Sequence, residues 1–118
     1  MADAPVTIFH NPACGTSRNV LASLTEAGAK PRVVEYLKAG WTLGQLKGLL
    51  AAMQAKPRDI LRVRGTAAEE LGLTRPAASD AAILAAMVAH PILVERPIVV
   101  TPKGTALCRP ADRVQSLL

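Results

Sequence analysis

Apolar positions change their spacing twice along the chain, and the changes mark three stretches. Val6-Thr-Ile-Phe-His10 is a β-branched and aromatic run that predicts a strand, closed by the turn residues Asn11-Pro12-Ala13-Cys14-Gly15-Thr16. Val20, Leu21, Leu24 and Ala27 then recur at helical spacing, with Thr16 or Ser17 as the expected cap and Gly28 as the stop. Arg32-Val-Val-Glu-Tyr36 predicts a second strand. A strand, helix and strand within about thirty residues fits a right-handed parallel crossover. From Thr42 the period becomes helical: Leu43, Leu46, Leu49 and Leu50 share one helix, Pro57 opens a shorter one through Leu61, and Ala67 to Leu71 suggests a further helical turn. Ser79 is placed to cap a helix over Asp80 to Ala89, with Ile83, Leu84 and Met87 on one face. The last third returns to β signals. Arg96-Pro97-Ile-Val-Val100, a Pro102-Lys103-Gly104 turn and Thr105 to Cys108 read as a hairpin, and Pro110 suits the first turn of a closing helix through Leu117.

This order predicts an α/β fold of thioredoxin-like type: a mixed four-stranded sheet flanked by helices, with an all-helical insert at about 42–90 between the second and third strands. The 118 residues are enough for one domain spanning the chain, and no repeat, linker or low-complexity segment divides them.

Half of the residues are apolar and 19% are charged, a globular balance in which scarce aromatics leave the core to Leu, Val, Ile and Ala. No apolar run approaches the ~20 residues that cross a bilayer. Met1 to Val6 shows no secretory leader, and two distant cysteines suit thiol chemistry in a reducing compartment, so a cytoplasmic location is expected. The net charge of +5 comes from nine arginines and five lysines against nine acids. These cations form no long run, and one Phe, one Tyr and one Trp offer little for base stacking, which argues against nucleic acid. Separate arginines suit a small anion better.

The first loop carries the candidate chemistry. A cysteine between a strand end and a helix start lies beside unpaired N–H groups and the positive end of the helix dipole, which favour thiolate over thiol. Cys14 is thus a candidate nucleophile, and Gly15, Thr16, Ser17 and Arg18 a candidate anion cradle. Gly15 permits close backbone approach, and the Ser17 hydroxyl can donate to sulfur or ligand. His10 could act as imidazolium to lower the thiol pKa, or hold the loop by hydrogen bonds. Ser17 stands where dithiol oxidoreductases have a second cysteine, so another molecule must resolve Cys14. Cys108 is read as a core residue of the last strand. No metal-ligand spacing occurs, and no bound cofactor is expected. Among the arginines, Arg96 before a proline and Arg109 between the last strand and helix are the positions that could face Cys14.

His10-Asn-Pro-Ala-Cys-Gly-Thr-Ser-Arg-Asn19, His90-Pro-Ile-Leu93, Arg96-Pro-Ile-Val-Val-Thr-Pro102 and Leu107-Cys-Arg-Pro110 resemble the glutaredoxin-coupled arsenate reductases. The resemblance runs from about Val6 to the C-terminus. It implies that Cys14 attacks arsenate held by three arginines, Arg62, Arg96 and Arg109, with Arg58 or Arg64 as the alternative to Arg62, and that a cis peptide bond precedes Pro97. Glutathione is the implied co-substrate, adding to the arsenic of the Cys14 adduct, and glutaredoxin reduces the resulting mixed disulfide. Two other readings compete: a redox-responsive regulator of this fold that binds RNA polymerase, and a general monothiol oxidoreductase.

Overall fold

The computed structural model describes residues 5–118; Met1–Ala4, part of the stretch read for a leader, lies outside the described residues. Four short strands form one mixed sheet in the order β2-β1-β3-β4: β1 at Thr7–His10, β2 at Arg32–Glu35, β3 at Ile98–Thr101 and β4 at Gly104–Leu107. β1 runs parallel to β2 and antiparallel to β3, and β3 and β4 form the expected hairpin around Pro102-Lys103. This is the thioredoxin-like mixed sheet flanked by helices.

The described chain divides into two compact units, residues 5–39 with 96–118, and residues 40–95. In the first, α1 at Gly15–Glu26 connects β1 to β2. Ile8 and Val99 lie side by side on one face of the sheet, where they share a core with Val20 and Leu24 of α1, Cys108, and Val114 and Leu117 of the closing segment. α1 ends in a Schellman arrangement: Gly28, at φ +88°, donates to the Thr25 carbonyl at 3.0 Å and Ala29 to that of Leu24 at 3.0 Å.

Local physics moved three predicted boundaries here. The cap of α1 is Cys14 itself, and neither Thr16 nor Ser17, which lie inside the first turn. β2 stops at Glu35 because its parallel partner stops at His10, and Tyr36 opens the short helix α2 at Tyr36–Ala39. The closing helix is a 3₁₀ helix, Ala111–Leu117, with Pro110 just outside it. Three residues per turn bring Val114 and Leu117 to the same side, toward the core.

In the second unit, α3 at Leu43–Met53 begins with a full capping box, in which Thr42 Oγ1 accepts the Gln45 N–H at 3.1 Å and Gln45 Oε1 accepts the Thr42 N–H at 3.3 Å. α4 at Asp80–Ala89 starts where expected, with Ser79 Oγ accepting the Ala82 N–H, and it buries Ile83, Leu84 and Met87. The unit is not all-helical. Leu61 and Val94 form an antiparallel bridge, framed by Arg62 N–H to Leu93 O at 2.7 Å and Glu95 N–H to Ile60 O at 2.8 Å. Pro57–Ile60 and Pro91–Leu93 are single 3₁₀ turns. Ala67 to Leu71 forms turns and no helix, between Gly65 and Gly72 at φ +74° and +75°, which break helical propagation on both sides. Among the described residues no helix is long and apolar enough to cross a membrane.

Candidate active site

The site grows out of the way β1 hands over to α1. Asn11 is buried at the end of the strand, and its Oδ1 accepts the Ala13 N–H at 2.9 Å, a local turn that competes with strand continuation. Cys14 N–H donates to Asn11 O at 3.0 Å, and Arg18 N–H closes the first helical turn onto Cys14 O at 3.0 Å. The thiol therefore sits at the N-cap, partly exposed, at the positive end of a twelve-residue helix with no acidic residue in its first turn.

Two arginines from the far end of the chain face this sulfur. Arg109 Nη1 donates to Cys14 Sγ at 3.6 Å and to the Arg96 carbonyl at 3.0 Å. Arg96 is 9% exposed, acts on the Cys14 thiol in the direction that favours thiolate, and keeps buried Nε and Nη1 donors that have no hydrogen-bond partner among the described residues. The Arg96–Pro97 peptide is cis, as the resemblance implied, and Arg109–Pro110 is also cis, which the sequence reading did not foresee.

Burial pushes the Cys14 thiol up. The Ser17 backbone N–H, the hydrogen bonds from Arg96 and Arg109 and the Arg96 charge together outweigh it and bring the pKa from 9.0 to about 7. Cys108 shows the opposite balance. It is fully buried, and desolvation raises it to about 11 against a weak pull from Arg113, so it is the core residue expected.

The contacts of His10 and Ser17 favour the loop-holding alternative for the histidine and tie the serine to the same network. The ring Nδ1 of His10 and the Ser17 hydroxyl share a 2.6 Å hydrogen bond, and the same hydroxyl accepts the Asn11 N–H at 3.1 Å. Both contacts tie the Ser17 oxygen to the loop, and the Ser17 backbone N–H acts on the thiol in the direction that favours thiolate. Burial lowers the His10 pKa below 6.5; Glu35, opposite it on β2, pulls the other way, and Arg18 lowers it further. A neutral His10 cannot serve as the thiolate's counter-ion, so loop-holding is the role its contacts support. A Cβ at Gly15 would meet only Arg18 Nη2 at 3.7 Å, so no close approach within the chain demands glycine there. Gly15 and Thr16 supply first-turn N–H groups.

Arg62 belongs to the second unit, where its Nη1 pairs with Glu95 Oε1 at 2.8 Å in a largely buried ion pair. Its neighbour Arg58 is tied to the carbonyls of Arg75 and Ala78. Three contributors escaped the sequence reading: Asn11, Glu35 and Glu95. The Asn-Pro dipeptide was legible as a turn signal, whereas Glu35 and Glu95 gain meaning only through strand register and the Leu61–Val94 bridge.

The family model of the ArsC family matches residues 9–117. The chain belongs to the ArsC family. Its ArsC relatives include the arsenate reductase ArsI1 of Synechocystis sp., 53% identical over 118 residues that cover all of this chain and 82% of the relative. The arsenate reductase of Escherichia coli (strain K12) is 45% identical, over 96% of this chain and 80% of the relative. Among solved structures, an arsenate reductase from Vibrio cholerae superposes with a TM-score of 0.91 at 37% identity, covering 98% of both chains. The ArsC match thus includes every residue of the thiol loop from Phe9 onward and both arginines that face it.

Proposed function

We propose that this ArsC-family protein is an enzyme that reduces arsenate to arsenite, with Cys14 thiolate as the nucleophile and Arg96 and Arg109 as the oxyanion holders. The observation that carries the reading is the buried Arg96 guanidinium beside the Cys14 sulfur, with two donors unpaired among the described residues. A buried cation with spare N–H groups is costly unless an anion completes it. The names of the relatives support arsenate as that anion.

The chemistry follows from the charges. Cys14 thiolate displaces water or hydroxide from arsenate and forms an arsenic–sulfur bond; two cationic guanidinium groups offset the repulsion between thiolate and oxyanion. An external thiol then adds, a disulfide forms, and arsenic leaves as arsenite. Arsenate plus two thiols gives arsenite, one disulfide and water, so the two electrons come from sulfur. Ser17 in place of a second loop cysteine supports an external donor, and glutathione with glutaredoxin is the donor pair we propose. The role of Arg62 rests on the resemblance alone. A reducing compartment, the cytoplasm, is where two unpaired cysteines would keep this chemistry available.

The test is arsenate-dependent NADPH oxidation coupled through glutathione, glutaredoxin and glutathione reductase. Activity that requires glutaredoxin and is lost in Cys14→Ser supports the whole reading. Activity with glutathione alone would overturn the glutaredoxin step, and none above background would overturn the enzyme.

A further inference from the structure

We infer that Arg18 is a specificity-determining residue for the resolving thiol and selects one that carries carboxylate groups; this rests on the reading that an external thiol resolves Cys14. Arg18 is exposed on the first turns of α1, yet its side chain is folded back across the loop. Its Nη1 donates to the Pro12 carbonyl at 2.9 Å, and its Nη2 lies 3.7 Å from where a Cβ on Gly15 would stand. The guanidinium thus straddles residues 12 to 15, the segment that presents Cys14.

Unlike Arg96 and Arg109, Arg18 makes no hydrogen bond to the sulfur that lowers its pKa. Its side-chain bond to Pro12 uses one of five N–H donors, so the rest of the fork stays available to solvent and to a visiting anion. Nothing in the sequence from Pro5 to Thr25 is acidic. A thiol approaching a group bonded to Cys14 passes an exposed cation fixed in place by the loop. Carboxylates on that thiol would meet the planar fork, while a cationic thiol would be repelled.

The experiment separates this from arsenate chemistry. Cys14 is converted to its mixed disulfide with mercaptoethanol, an uncharged adduct. An incoming thiolate attacks the outer sulfur, the Cys14–sulfur bond breaks, and Cys14 leaves with the electron pair as thiolate. The attacking thiol has lost its proton to solvent and ends in a new small-molecule disulfide. Release is followed by intact mass with glutathione, mercaptosuccinate, mercaptoethanol or cysteamine as the thiol, each rate corrected for thiolate fraction. In the native protein the anionic thiols should react faster than cysteamine, with the preference shrinking as salt rises. Arg18→Gln and Arg18→Ala should cut the anionic rates by about three- to fivefold, the scale of one exposed charge pair, and leave mercaptoethanol unchanged. Arg18→Lys should retain most of the preference. An unchanged preference in Arg18→Gln would overturn the inference and assign selectivity to Arg96 and Arg109. Equal loss for all thiols in every variant, Lys included, would also overturn it by making Arg18 a loop anchor only. Neither result touches the arsenate assay.

Discussion

At the residue scale, the account turns on a sulfur whose burial is outweighed by donors. With a pKa of about 7, Cys14 should react with iodoacetamide along a titration curve centred near pH 7, measured by intact mass over a pH series. Cys108, fully buried and raised to about 11, should stay unlabelled until the protein unfolds. A cation removed from a thiolate makes the charged form less favourable. Arg96→Ala and Arg109→Ala should therefore each shift that curve upward toward 9.0. Each should also lower arsenate turnover by on the order of 100-fold, since one preorganised donor contributes about 3 kcal/mol. Turnover equal to the native protein in both variants would contradict the oxyanion assignment. His10 gives a second pH signature. Its folded pKa lies below 6.5, so its contribution to stability is fully present above 6.5 and is lost as pH falls through the lower folded value. Melting temperature should fall with pH in that range, and His10→Asn should flatten the decline.

At the scale of elements, caps and cores make predictions that the chemistry does not share. Ser79→Ala removes the hydroxyl that accepts the Ala82 N–H and should cost about 1 kcal/mol by denaturant unfolding, with the Cys14 alkylation curve unchanged. Leu24→Ala empties a fully buried position between α1 and the sheet and should cost about 2–5 kcal/mol. These are also the features that were readable in advance. Helical spacing located α1, α3 and α4, and Ser79 and Gly28 mark their termini because capping and positive φ depend on single side chains. The turn after Val100 located the hairpin. Boundaries set by partners were not readable: β2 ends where β1 stops offering acceptors, and the Leu61–Val94 bridge pairs residues from distant segments. The site shows the same division. Cys14, Arg96 and Arg109 were nameable from residue type and position. The Ser17 hydroxyl's contact with His10 was not readable, because it depends on loop geometry that spacing does not encode.

For the molecule as a whole, net charge and fold point toward one class of ligand. A surplus of +5 carried by scattered arginines draws small anions to the protein, and the same surplus makes that attraction weaken with ionic strength. The thiol, both arginines that face it and the loop network all lie in the unit built on the sheet, so the chemistry is organised by β1, α1 and the two segments flanking the hairpin. In the second unit, Arg62 and Glu95 pair beside the Leu61–Val94 bridge. The most direct measurement is arsenite production, quantified by chromatography with arsenic detection, from arsenate and reduced thiol donors in the native protein, Cys14→Ser and Cys108→Ser side by side. The account predicts full production by the native protein and Cys108→Ser and background production by Cys14→Ser. Arsenite formed at the native rate by Cys14→Ser would contradict it.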